Sequence, residues 1–201
     1  DASGTSGVIE VARALKSLNL KRSVVFVCFW GEESGLLGSR AYVQNPSFPL
    51  QQTIANVNLE QIGRTDDDEG PRVAEFNLTG FDYSNMASFF ETAAKPFGVK
   101  VTMHPKFSSP YFFASDNAAF AGAGVVAHTI STAYSFPDYH KPGDEWSKIH
   151  SDNMAKIVQS AAAGIRDLAN SAKAPEWNRA NEKAKRFYEA YDKLMGISPK
   201  L

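Results

Sequence analysis

Val24-Val-Phe-Val-Cys-Phe-Trp-Gly-Glu-Glu-Ser-Gly-Leu-Leu-Gly38 is the stretch that decides how the rest of the chain is read. Its apolar run, Val24–Trp30, is rich in β-branched and aromatic side chains and stops at Gly31 and two adjacent carboxylates. A short apolar run bounded by a turn signal predicts a strand buried on both faces, in the middle of a helix-covered sheet. Glu32 and Glu33 then fall just past its carboxyl end, where open α/β sheets hold their ligands. Neighbouring like charges raise each other's cost of ionisation, so a buried pair calls for a metal ion or a proton to handle. Taken alone, the pair reads better as a surface turn with two solvated glutamates, and the rest of the chain decides.

Working outward, Val8, Val11, Ala12, Leu15 and Leu18 recur at helical spacing and predict a helix over Gly7–Leu18, capped by Thr5 or Ser6. Gly35–Val43 reads as a short helix leaving the carboxylate turn, and Ile54–Glu60 as a second strand ending in a carboxylate. Gly63–Pro71, with the acidic run Asp66–Glu69, reads as a solvated loop without the alternating spacing of a calcium loop. Strands follow at Val73–Leu78, Val99–Met103 and Gly124–Ile130, with a helix over Tyr83–Pro96 and a helical turn over Asp116–Ala121. A polar loop, Tyr134–Glu145, precedes a long helix with Met154, Ile157, Val158, Ala161, Ile165 and Leu168 on one face. A last helix, over Pro175–Leu194, carries Trp177, Phe187, Tyr188 and Tyr191. The order predicts an α/β fold, a mixed sheet with helices on both faces.

The chain's 201 residues, 43% hydrophobic, suffice for one sizeable core and so for one domain. A formal net charge of -1 offers no basic field to nucleic acid or to an anionic membrane, and no apolar run approaches the length of a membrane span. Cys28 is the sole cysteine, so no intrachain disulfide can form, and its place in the apolar run predicts an inert core thiol. His128, inside a strand, reads as a satisfied core residue, and His104 and His150 as surface residues. Tyr111, Phe112 and Phe113 read equally as pocket lining or as core.

Asp1, Glu32, Glu33, Glu60 and His140 each stand at or near a strand end. Loops at one sheet edge are how α/β enzymes gather distant residues, and carboxylate oxygens with imidazole suit zinc. The segments "DASGT", "WGEESGLLGSRAY", "NVNLEQIGR", "SDNAAFAGAG" and "DYHKPGDEW" occur in the order and at about the spacing seen in the co-catalytic zinc exopeptidases. The chain resembles that superfamily, which includes the bacterial leucyl-type aminopeptidases and glutamate carboxypeptidase, as far as about Leu168.

The resemblance implies a three-layer αβα sandwich with a mostly parallel central sheet, lacking its first strands. It implies one zinc-peptidase catalytic domain over 1–201, amino-terminally truncated; the aromatic residues of the last helix predict that 175–201 packs back on it. It implies a peptide substrate, two zinc ions in the complete protein and one or none in this chain, and a secreted or periplasmic location. Position by position, Asp1 would bridge the two ions, Glu33 and His140 would ligate one, and Glu60 the other. Glu32 would be the general base, and Tyr139 a hydrogen-bond donor to the tetrahedral oxyanion. The superfamily's further histidine ligand lies two residues before the bridging aspartate and would fall ahead of Asp1. Glu60 stands where many relatives have aspartate, and Asn117 where many have histidine. Two other functions fit the same resemblance: a single-zinc glutaminyl cyclase, and a binding module that keeps the fold without its chemistry.

Overall fold

The computed structural model describes residues 1–197, so the end of the 175–201 segment lies outside the described residues. Among the described residues there are six α-helices: α1 (Ala2–Leu15), α2 (Leu37–Gln44), α3 (Met86–Ala94), α4 (Asn117–Gly122), α5 (Ser151–Asn170) and α6 (Lys185–Leu194). Four strands, β1 (Asn56–Leu59), β2 (Glu75–Leu78), β3 (Lys100–Thr102) and β4 (Ala127–Ser131), form one sheet in the order β1-β4-β2-β3. β1 runs parallel to β4 and β2 parallel to β3, while β2 and β4 are antiparallel. α1 and α3 both pack on α5, whereas α2 and α6 both pack on α4, which gives one helical layer on each face of the sheet. This is the mixed, mostly parallel αβα arrangement expected from the element order.

Apolar burial explains most of the elements. Ile157, Ala161 and Leu168 of α5 are buried in one core cluster with Phe90 of α3 and Phe76 of β2, and all of β4 is buried, as a central strand requires. Phe187 of α6 is fully buried and stacks on Trp177, whose indole N–H donates to the Gly124 carbonyl at 2.9 Å. Gly124, at φ +97°, lets α6 approach this closely, for a Cβ there would stand 2.5 Å from the Tyr191 nitrogen. Gly124→Ala is therefore expected to cost about 2 kcal/mol, lowering the melting temperature by roughly 4–8 °C in a thermal unfolding scan. An unchanged melting temperature would show that α6 contributes little to the core.

The main correction concerns Val24–Trp30. The segment is extended, but none of the backbone groups of Ser23–Phe29 pairs with another backbone group, and Val25, Phe26, Cys28 and Trp30 are exposed. A groove of about 460 Å³ separates it from β1, walled by Val8 and Val11 of α1, Ile165 of α5 and Phe120 of α4. β-favouring composition supplies the propensity; a strand also needs a neighbouring ladder, and the chain places none beside this one. Cys28 is accordingly an exposed thiol and not a core one.

Three smaller corrections follow, two of them from polar partners far away in sequence. α1 begins at Ala2, and its cap is Asp1 instead of Thr5 or Ser6. A Cβ on Gly4 would run into the Leu59 carbonyl, so glycine permits the amino end of α1 to close on β1. The acidic loop is not wholly solvated: Asp67 is buried, accepting from the Tyr134 N–H at 2.7 Å and the Glu69 N–H at 2.9 Å. His104, expected at the surface, is buried 3.6 Å from Asp67, with Nδ1 accepting from the Lys106 and Phe107 N–H groups. Phe112 belongs to the core and Phe113 is exposed, so the aromatic triplet does not line the carboxylate cavity described below. His128 is a satisfied core residue, bonded to the Ser84 hydroxyl at 2.6 Å and the Thr79 carbonyl at 2.7 Å. No helix of the described residues is long and apolar enough to cross a membrane.

Candidate active site

Past the carboxyl ends of β1 and of the extended Val24–Trp30 segment lies a cavity of about 900 Å³. Asp1, Glu32, Glu33, Glu60, Tyr139 and His140 all line it. The chain reaches this arrangement through tight turns. Gly31, at φ +69°, reverses the backbone after Trp30, and the Gly35 and Leu36 N–H groups donate to the Glu32 carbonyl at 3.0 and 2.9 Å. Gln61 and His140 adopt left-handed backbone angles, φ +53° and +57°, which non-glycine residues adopt at an energetic cost. Two of the four such residues in the described chain thus sit in this cavity.

His140 and Glu33 meet directly, with Nε2 and Oε1 2.8 Å apart. The Tyr139 ring stacks on the His140 ring, with centroids 4.0 Å apart and planes 23° apart. Asp1 is differently engaged: its carboxylate accepts from the Gly4 N–H at 3.0 Å, the Gln61 N–H at 3.3 Å and the Ser3 hydroxyl at 2.8 Å. Glu60 lies near Ser115, whose hydroxyl accepts from the Asn58 amide at 2.7 Å. Among the described residues no three histidine, cysteine, aspartate or glutamate side chains converge as a closed metal cluster. The structure therefore gathers all six residues around one cavity, brings Glu33 and His140 into contact, and holds Asp1 on Ser3, Gly4 and Gln61.

The cavity is electrostatically unbalanced. Burial raises the Glu60 carboxyl to about 7, with the nearby charges of Glu32 and Asp116 adding to the effect and the Ser115 hydroxyl opposing it. Burial also raises Glu32, assisted by Glu33 and Asp116, and raises Asp116 against a hydrogen bond from Ser39. Asp116 Oδ1 is buried with no hydrogen-bond partner. Clustered carboxylates with raised pKa values, an orphaned oxygen and an imidazole make a donor set that fits a divalent cation such as zinc.

Asp116 and Ser115 belong to this site, although reading the sequence picked out neither for it. The signal was present in the quoted "SDNAAFAGAG", where an aspartate stands just before α4. Asn117, in the position noted for departing from the superfamily pattern, is fully buried and bonds the Phe112 carbonyl and the Thr129 hydroxyl, so it is structural here.

Comparison with known proteins agrees with this geometry. The family model described as Peptidase family M28 matches residues 1–165. The chain belongs to peptidase family M28. Aminopeptidase YwaD of Bacillus subtilis (strain 168) is 28% identical over 193 residues, covering 92% of this chain and 40% of that protein. In structure, BSAP, a zinc aminopeptidase from Bacillus subtilis, superimposes with a TM-score of 0.70 at 27% identity, over 86% of this chain and 42% of that one. An aminopeptidase from Aneurinibacillus sp. strain AM-1 shares the fold, with a TM-score of 0.69 at 24% identity, over 87% and 40%. The M28 chain thus spans about 40% of the length of these relatives. The superfamily resemblance read from its motifs is confirmed.

Proposed function

We propose that the whole protein is a zinc-dependent exopeptidase, an aminopeptidase that removes amino-terminal residues from peptides, with Glu32 as general base. The observation that carries this is the single cavity lined by Asp1, Glu32, Glu33, Glu60, Tyr139 and His140, in which Glu33 and His140 already meet. Glu33 and His140 would hold one zinc ion together with Asp1, and Glu60 would serve a second; the donor chemistry supports this. Zinc bound there supplies Lewis acidity, which makes a water nucleophilic near neutral pH. Burial and neighbouring carboxylates, instead of a hydrogen bond, act on Glu32, so its carboxylate is free to take a proton from the attacking water and pass it to the leaving amine. A raised pKa brings that group nearer to working pH, where proton transfer in both directions is efficient. The Tyr139 hydroxyl, on a ring stacked over His140, would donate to the oxyanion of the tetrahedral intermediate. The names of the M28 relatives support hydrolysis over the cyclase and binding-module readings.

The same reading gives the groove beside β1 a role, as the seat of the amino-terminal strand expected from the sequence. Its two walls, Ser23–Phe29 and β1, both run toward the carboxylate cavity. Asn56 and Glu60 donate to β4, so the alternation of a parallel ladder leaves Val57 and Leu59 to face the groove. A strand seated there would supply the ladder that Val24–Phe29 lacks and would end beside Asp1. Amide exchange over 24–29 is then expected to be fast in this chain and at least about tenfold slower in the full-length protein.

The test of the proposed activity is hydrolysis of aminoacyl anilides by the full-length protein. Loss of turnover on chelation and its return with zinc are expected; turnover indifferent to chelation would refute the assignment.

A further inference from the structure

The segment 136–146, which carries Tyr139 and His140, is poorly anchored by apolar burial: Phe136 is its only buried side chain. Its own backbone bonds are local turns, Tyr139 N–H to Phe136, Lys141 N–H to Asp138 and Asp144 N–H to Lys141. Glu33 meets it at His140, Lys148 Nζ donates to Asp138 Oδ2 at 2.7 Å, and one side chain, Arg64, grips it at three points. Arg64, four residues beyond Glu60, has its side chain only 7% exposed. Its Nη2 donates to Asp138 Oδ2 at 3.1 Å and its Nη1 to Asp144 Oδ1 at 2.8 Å, and its guanidinium lies 4.6 Å over the Phe136 ring. Asp66 holds the remaining edge of the fork, accepting from Nε at 2.8 Å and from Nη2 at 2.5 Å.

The grip brackets the functional residues, with Phe136 and Asp138 on one side of Tyr139-His140 and Asp144 on the other. Arg64 is itself fixed, because its carbonyl accepts from the buried Thr132 hydroxyl at 2.7 Å. The planar fork matters here. It reaches three carboxylates and an aromatic face in fixed directions, which a lysine's point charge cannot do.

We propose that Arg64 is a positioning residue that sets where Tyr139 and His140 stand relative to Glu33 and Glu60. It thereby couples the segment after β1, which carries Glu60, to the loop that carries His140. The metal part of this inference rests on the proposed function; the clamp itself does not.

A buried ion pair can be replaced by apolar packing at little net cost in stability, so a melting temperature does not test the clamp. Arg64→Met, Arg64→Lys and Asp144→Asn should be compared with the unaltered chain by hydrogen exchange over 136–146 and by cobalt(II) titration followed in the visible spectrum. In Arg64→Met, exchange in 136–146 is expected to quicken at least about tenfold while β4 and α5 hold their rates. The cobalt dissociation constant is expected to rise by about 10- to 100-fold, with a changed ligand-field band. Arg64→Lys should recover part of both losses, and Asp144→Asn, which removes one arm, should show both in smaller degree.

Exchange and cobalt binding like those of the unaltered chain in Arg64→Met would overturn the proposal, whatever its melting temperature. If that variant does not fold, Asp144→Asn decides in the same way. Should the unaltered chain bind no cobalt, the metal reading fails, and the exchange of 136–146 alone upholds or overturns the clamp.

Discussion

Glu32→Gln in the full-length protein is expected to lower kcat by about 10²- to 10⁴-fold, the range over which a positioned acid–base group acts. Zinc binding and KM should change little, because Glu33 and His140, not Glu32, form the contact pair in the cavity. Glutamine keeps the volume and the hydrogen-bonding oxygen but cannot accept a proton. The loss should therefore fall on kcat and kcat/KM together, the signature of an interaction made only in the transition state. Residual activity of half or more would remove Glu32 from the proton path. Steady-state kinetics on aminoacyl anilides, with metal content measured on the same samples, separates these outcomes.

The second large effect is on stability, and it is concealed in the unaltered chain. Burial raises Glu60 from 4.5 to about 7 in the metal-free protein. The folded state then holds a proton that the unfolded chain has released, so this contribution is present below about pH 4.5 and is lost as pH rises through about 7. Burial lowers His128 from 6.5 to about 4, against a hydrogen bond to the Thr79 carbonyl. Here the unfolded chain binds the extra proton, so the contribution is present above about pH 6.5 and is lost as pH falls through about 4. Each displacement corresponds to at most roughly 3 kcal/mol, and the two slopes oppose each other over nearly the same window.

The metal-free chain should accordingly show a nearly flat melting temperature between pH 4.5 and pH 7. Glu60→Gln removes one slope and leaves that of His128. Its melting temperature is expected to climb by roughly 6–12 °C from pH 4.5 to pH 7. A variant as flat as its parent would mean that neither group carries the burial described here.

What the sequence disclosed follows the range of the interactions involved. The face of α5 and the wholly apolar β4 were legible because their burial is periodic or continuous over neighbouring residues. Val24–Trp30 was misread because β-propensity does not say whether a partner ladder is present. Cys28 was misplaced with it. The start of α1 was missed because Ser3, Gly4 and Thr5 resemble a turn, and only Gly4's contact with the Leu59 carbonyl reveals why small residues stand there. His104 and Asp67 each looked like surface residues alone, and burial became possible only when the fold paired them.

The site divides in the same way. Glu32, Glu33, Glu60 and His140 could be listed from motifs at strand ends, and all four line one cavity. Asp116 and Arg64 act through residues distant in sequence, so their roles needed the fold. Arg64 stood in plain view at the end of "NVNLEQIGR". Nothing local marks an arginine as the grip on a loop whose aspartates begin 74 residues later.

The most direct measurement of the central claim is zinc binding by isothermal titration, carried out on the full-length protein, unaltered and as the Glu33→Ala/His140→Ala double variant, under identical conditions. The account predicts at least one zinc ion per unaltered chain, and an affinity at least about 100-fold weaker once its two contacting donors are gone. Zinc bound equally well by both proteins, or by neither, would contradict it.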